Sequence, residues 1–580
     1  MMTKALLLVC CAAGALAMAA CNSTPQKPAA GSGDPAFQAL VNDIVEESYR
    51  ESPTNATYLG IHKYDDRLED FSATAIAGNV AKAREFRQKL DAIDPSTLTP
   101  DARLDREFLQ HQMDSTVLQL NVVRGWEKNA DSYSGAATNS VYTIMKRNFA
   151  PAADRLKLVI AREKQMPALL AEARKNLKNP PKIFTDIAIE QIDGNESFFK
   201  KDLPLAFAEV KDPALLKEFK ASNDAVIAAL GQYKTWLKKD VLPQSKGDYA
   251  LGADTYARLL MANEMIDMPL DQLLKVAEDD RKKNEDALVA TAKLIDPKKT
   301  VEQALMQVEA QHPAPGALLK TTQDALDSLR QFILTKKILT IPASAPAHVQ
   351  ETPPFMRSTT SASMDTPGPF EEKATEAYYN MTLPDPRWSQ AEQVDYMRQW
   401  YYAAISNVSV HEVYPGHYVQ FLYAKNFPTL TRKVFGATTN IEGWAHYAEQ
   451  MMIDEGFHAT EPAYRMAQLQ DALLRDVRFI VGIKMHTQGM TVEQAKQLFA
   501  TQGHQPAAVA LSEAKRGAGD PLYGYYTMGK LAILKLREDY RVKKGAAFSL
   551  QDFHDTFIQI GPLPLPLVRE KMLGERGRMF

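Results

Sequence analysis

The chain has 580 residues, 45% of them apolar, and a formal net charge of −3 from 68 basic and 71 acidic side chains. This near-neutral balance excludes the basic footprint of a nucleic-acid binder, and the length gives a large folded body an ample core. All three cysteines, Cys10, Cys11 and Cys21, fall in the first 21 residues, which excludes a disulfide scaffold or a cysteine zinc knuckle in the rest.

At the N-terminus, Lys4 precedes an apolar run from Ala5 to Leu16, and Ala17, Ala19 and Ala20 stand directly before Cys21. The run is shorter than the roughly 20 residues a membrane-spanning helix needs. It ends in the manner of a lipobox, with Met18 where Leu is usual. Residues 1–20 therefore read as an export signal, cleaved so that the Cys21 thiol is acylated. The expected location is the bacterial cell envelope, with the lipid anchor as the one membrane contact. Residues 21–34, rich in Ser, Pro, Gly and Ala, read as a flexible tether.

From residue 35 onward, three-to-four spacing of apolar residues predicts helices at Phe37 to Arg50, Ala73 to Ile93, Ala152 to Asn176, Pro213 to Lys239, Leu270 to Leu294 and Ala463 to Met485. Thr300 to Gln303 and Thr491 to Gln494 have the capping-box pattern, in which a hydroxyl and a side-chain amide satisfy free amides at a helix start. The stretch Ile338 to Pro386 differs. It is dense in Pro, Ser and Thr and holds an extended segment, Ala377 to Leu383, so any small β element belongs there. The expected fold class is mainly α, with an N-terminal helical lobe at 35–337 and a lobe at 338–580 that holds the chemistry, both parts of one integrated body.

That chemistry lies in Val410-His411-Glu412-Val413-Tyr414-Pro415-Gly416-His417-Tyr418-Val419-Gln420. In the HExxH helix two histidines four apart share a face and bind zinc, while the glutamate beside the first activates water. Here the step is six residues, which on a continuous helix rotates by about 600° and leaves the imidazoles roughly 120° apart. Pro415 alters this, because its ring collides with the carbonyl of His411, four residues back, and the helix must deform. Gly416 beside it permits a bulge that absorbs the two extra positions and returns His417 to the side of His411. Glu442 follows 25 residues after His417, far enough for a second helix to turn back and offer a third ligand. On that helix positions 442, 446 and 449 lie within about 60° of one another, so Glu442, His446 and Glu449 point the same way.

His411 to Gln420 resembles the His-Glu-x-x-Pro-Gly-His-x-x-Gln motif of the bacterial family called domain of unknown function 885. Glu442-Gly443-Trp444-Ala445-His446-Tyr447-Ala448-Glu449 matches its second motif, and Tyr526-Thr527-Met528-Gly529-Lys530, followed by a helix with Arg537, looks like its third. The family is similar to gluzincin-type metallopeptidases, which implies a clefted helical fold and one Zn2+ per chain. The resemblance makes His411, His417 and Glu442 the zinc ligands and Glu412 the general base. A catalytic zinc keeps one position open for water, so Glu449 and His446 are expected to orient a ligand or meet substrate rather than bind directly.

Tyr526 is the expected electrophile that steadies the oxyanion, with Tyr525 and Tyr523 as competitors among 22 tyrosines. His486 is a second candidate donor on the same resemblance. The segment Ala377 to Leu383, with Tyr379, offers a strand edge to which a peptide adds. The expected activity is zinc-dependent hydrolysis of peptide bonds, in short peptides. Two alternatives are a zinc hydrolase of a non-peptide amide or ester and a non-catalytic lipoprotein that binds in the envelope.

Overall fold

The structure, a computed structural model, describes residues 31–342, 346–353, 357 and 361–580. The proposed export signal and Cys21 lie outside these residues, as does most of the tether. Helix dominates, and each predicted helix is present: Asp34–Glu51, Ala73–Ala92, Pro213–Trp236, Leu270–Ile295 and Pro462–Thr487. The exception in detail is the expected helix at 152 to 176, which divides into Ala152–Glu163 and Met166–Asn176. Pro167 stands in the first turn of the second piece, where its missing amide costs no intrahelical bond. Both capping boxes form, at Thr300 with Gln303 and at Thr491 with Gln494. Among the described residues no helix is long and apolar enough to cross a membrane.

The β element is a three-stranded sheet of β1 (His348–Glu351), β2 (Ala362–Asp365) and β3 (Tyr378–Met381), in the order β1-β3-β2. β3 is the central strand, parallel to β1 and antiparallel to β2, with Tyr379 opposite Val349 and Met364. Its backbone groups are therefore engaged on both sides. The expected free edge at Ala377 to Leu383 does not exist, because each flank already carries a strand.

The largest core ignores the division at residue 338. Leu104, Phe108, Leu318 and Ile333 from the first half pack with Tyr379, Val410, Trp444, Ile533 and Phe557 from the second. A buried polar cluster also crosses it. Lys530 Nζ lies 2.6 Å from Asp280 Oδ2, and Asn284 Nδ2 donates to Asp476 Oδ2 at 2.7 Å. Thr527 Oγ1 donates to the other Asp476 oxygen at 2.9 Å. Burial pushes the Asp476 carboxyl up to about 7, a shift that Lys530 opposes. These bonds tie the helix Leu270–Ile295 to Pro462–Thr487 and to the helix Tyr525–Lys544.

Candidate functional site

The helix Tyr402–Glu412 ends on Glu412, and a new helix, His417–Ala424, starts on His417. The expected bulge in one helix is thus a full break, through Val413, Tyr414 and a cis peptide at Pro415. Proline has no amide to give the His411 carbonyl, so the chain turns, and the Gly416 amide donates to Val410 O at 3.0 Å. Gly416 has φ −66°, so unusual φ is not what demands glycine. A Cβ there would lie 1.8 Å from the His411 carbonyl oxygen, and only glycine fits against that carbonyl. The outcome for the imidazoles is as the chemistry requires, with ring centroids 4.8 Å apart and planes 88° apart.

Glu442 stands in the first half of the helix Thr438–Asp454. Its N-cap residue, Ala437, offers no side-chain bond. The start is capped instead by Glu264, from the helix Ala253–Glu264, whose carboxylate accepts the Thr438 and Thr439 amides at 3.2 and 3.0 Å and the Thr439 hydroxyl at 2.5 Å. Two further contacts fix this helix. Trp444 Nε1 donates to Pro415 O at 2.9 Å, and Gln420 Nε2 donates to Asn440 Oδ1 at 3.1 Å. On its other side Gly443 crosses Gly529 so closely that a Cβ on Gly529 would lie 2.0 Å from Thr439 O and 2.5 Å from Gly443 Cα. The three sequence motifs therefore meet as three segments locked by direct contact.

His411, His417 and Glu442 form a group in which one ligand atom from each lies within 4.8 Å of the others. Glu442 Oε2 is 3.5 Å from His411 Nε2 and 3.4 Å from His417 Nε2. Those separations exceed a well-formed N–H···O bond, and they are close to the spacing of two ligands on a tetrahedral ion with bonds of about 2.1 Å. Glu442 Oε2 and His417 Nδ1 are buried without a hydrogen-bond partner. The donor set fits a divalent ion such as zinc. Burial pushes the Glu442 carboxyl up, but the two imidazoles hold it well below the usual carboxylate range.

Glu449 sits beneath this group. It accepts from His411 Nδ1 at 2.6 Å, from Asn407 Nδ2 at 3.3 Å and from Arg475 Nη2 at 3.1 Å. With Nδ1–H bound to Glu449, the lone pair of His411 Nε2 is directed away from it. Burial lowers the His411 pKa, but contact with Glu442 and Glu449 carries it up to about 10 in the metal-free chain. His446 Nδ1 lies 3.3 Å from Glu449 Oε2, and burial pushes its pKa down to about 3, so this imidazole is neutral.

Glu412 is half-buried at the end of its helix, with no side-chain hydrogen bond or ion pair among the described residues. Tyr379 is buried on β3 beside it: burial raises the phenol pKa and the Glu412 charge raises it further. The Tyr526 ring centroid is 6.4 Å from that of His411 and 4.8 Å from that of Tyr525. Arg475, Arg478 and Arg516 stand over the Tyr526 ring at 5.5, 5.1 and 6.0 Å. The Tyr525 hydroxyl donates to Asp520 Oδ2 at 3.1 Å, and Tyr523 is fully buried.

His486 is the sequence-predicted residue the structure removes from the centre. It lies 11 positions beyond Arg475 on one helix, about 16 Å along the axis. There its Nε2–H donates to Gly517 O at 2.8 Å, and Tyr249 and Tyr256 flank the ring. The arginines went unseen in the sequence. Asp471 and Arg475 stand four apart on one helix, and both faces of Pro462–Thr487 are buried, so a cation there needs buried partners.

A helical body with a partly buried His-His-Glu group at the junction of three motif segments defines the class of molecule. The chain belongs to the family described as bacterial protein of unknown function, DUF885, whose model matches residues 53–572. No curated protein matches the chain. A solved structure from Shewanella oneidensis, described as "a putative lipoprotein of unknown function", is similar at 27% identity and TM-score 0.78, over 93% of this chain and 99% of that one. A second, from Colwellia psychrerythraea and also described as such a lipoprotein, has the same fold at 17% identity, with TM-score 0.78 and the same coverage.

Proposed function

We propose that the protein is a zinc-dependent hydrolase of peptide bonds in short peptides, of gluzincin type, exported and anchored to the cell envelope through Cys21. The observation that carries this reading is the unsatisfied Glu442 Oε2 facing two imidazoles at 3.4 and 3.5 Å, with Glu412 adjoining His411. His411, His417 and Glu442 hold the ion. A bound zinc supplies a Lewis acid that polarises the scissile carbonyl and makes water easier to deprotonate at neutral pH.

The remaining work falls to side chains. Glu412, free of other partners, takes the proton of the attacking water and returns it to the leaving amine. Tyr526 donates its hydroxyl to the oxygen that becomes negative, and the arginines over its ring favour that charge. Glu449 fixes the tautomer and angle of His411. Tyr379, buried beside Glu412, excludes water behind the base. The description of the similar structures as lipoproteins supports the envelope location. Peptide is the proposed partner, with no nucleic acid and no membrane contact beyond the anchor.

The test is mass-spectrometric mapping of cuts in a diverse peptide mixture by residues 22–580, beside Glu412→Gln and a chelated sample. Cuts lost in both controls establish the peptidase. Stoichiometric zinc without cuts points to a non-peptide amide or ester. Absence of both zinc and cuts favours a non-catalytic binding lipoprotein.

A further inference from the structure

A cavity of about 440 Å³ approaches the His411–His417–Glu442 group without being lined by those three residues. Tyr525, on its wall, lies against Tyr526 with the ring planes tilted by 37°, and Thr438, also on its wall, precedes Glu442 by one helical turn. Opposite them stand Gly125, Leu259 and Asn263, from the first half of the chain. A second chamber of about 560 Å³ continues it, sharing Asn129, Phe184, Gly519 and Asp520. The two form a channel lined by both halves of the body, which comes nearest the metal group at Thr438 and Tyr525.

Its walls are polar but nearly without free charge. Glu264 is consumed by Thr438 and Thr439, Asp520 by Arg516 and Tyr525, and Glu190 by Lys515. Among the described residues three lining charges have no ion-pair partner: Glu264, which accepts only from Thr438 and Thr439, and Lys128 and Asp131, which have opposite sign. The wall also carries the side-chain amides of Gln112, Gln119, Asn129 and Asn263 and the rings of Phe184 and Tyr249; Asn129 Oδ1 accepts from the Asp131 amide and Asn263 Oδ1 from Ser115 Oγ, which leaves their NH2 groups for a ligand. Amides pair with the N–H and C=O groups of an extended backbone, and a neutral wall offers nothing to offset the desolvation of a charge.

Building on the peptidase reading, we propose that this channel holds an extended, uncharged segment of the substrate, several residues long, on one side of the scissile bond. The protein is then a reader of peptide length and neutrality on that side.

Gly125 gives a clean test, because a Cβ there meets nothing within 4 Å and a large side chain would project into the chamber. Peptides extended at either end by neutral, Lys-containing or Glu-containing segments are compared in the zinc-loaded wild type, Gly125→Trp and Gln119→Lys. Gln119 is exposed at the wall, so its exchange leaves the core intact. In Gly125→Trp, kcat/KM should fall by about tenfold or more for peptides extended at one end, and by about twofold or less for the shortest ones. Gln119→Lys should turn the preference at that end towards Glu. Equal losses at all lengths, or no loss, overturn the channel, as does an unchanged charge preference in Gln119→Lys. Calorimetric binding of the same peptides to zinc-loaded Glu412→Gln, with and without Gly125→Trp, separates the two readings. Length-dependent binding without turnover by the wild type sinks the peptidase and leaves the channel standing.

Discussion

At the scale of single residues, the metal group depends on side chains that bind nothing themselves. Glu449 holds His411 by Nδ1, and replacing it by Gln leaves the imidazole free to rotate or change tautomer. We predict a loss of about 10- to 100-fold in zinc affinity for Glu449→Gln, measured by competition with a chromophoric chelator, with the fold unchanged by circular dichroism. Protons compete for the same site. In the metal-free chain His411 stays protonated up to a pKa of about 10, so zinc must displace a proton throughout the neutral range. Apparent affinity should rise about tenfold per pH unit between pH 6 and 8, and a flat profile would contradict the assignment. The sequence brings out His411, Glu412, His417 and Glu442 through their motif resemblance, since the six-residue step departs from HExxH and needs the deformation at Pro415-Gly416. It hides Arg475 and Arg478, whose meaning comes from a helix buried on both sides, and Arg516, which reaches Tyr526 from the helix Ala507–Gly519.

At the scale of elements, glycines and one indole set the geometry. Gly416 seats the start of the His417 helix against the end of the His411 helix, and Gly529 lets the Tyr526 helix touch the Glu442 helix. Gly416→Ala and Gly529→Ala should each cost several kcal/mol or prevent folding, since the atoms they would meet are backbone. Trp444→Phe is milder: it keeps the ring and strands the Pro415 carbonyl, at a cost of about 1–3 kcal/mol in chemical denaturation. A sequence reader sees that Pro415-Gly416 disturbs a helix. Whether it bulges or breaks depends on what receives the freed groups, here Trp444 from 29 positions away. The same limit explains β3. Its extended character shows in residues 377–383, but its central place depends on β1 and β2, which share no local pattern with it.

At the scale of the whole molecule, the two halves are joined by core and by charge. Lys530 and Asp280 form a buried ion pair across them, so Lys530→Met should destabilise by about 3–5 kcal/mol, and Lys530→Met with Asp280→Leu should recover part of that. Acid should loosen the body as well. Burial pushes His446 and His554 down to about 3, so each stays neutral in the fold and takes a proton when unfolded. Their folded pKa values lie below the unfolded one, so stability is full above about pH 6.5 and falls as pH drops from there towards 3. Thermal midpoints across that range test this, and His554→Gln should flatten the curve. The predominance of helix was legible from periodicity alone. The channel was not, because its walls come from residues 112 to 525 and only the packing of distant helices brings them together.

The carboxylate of Glu264 has a consequence for how the molecule is made. The ligand-bearing helix begins on amides that only this distant residue satisfies, so its first turn closes only once the first half has docked. Synthesis delivers that half first, which puts the cap in place before the helix it receives exists. Under the proposed metal assignment, capture of the ion is then the last act of assembly, and a chain stalled between His417 and Glu442 carries two histidines but no completed site to sequester an ion.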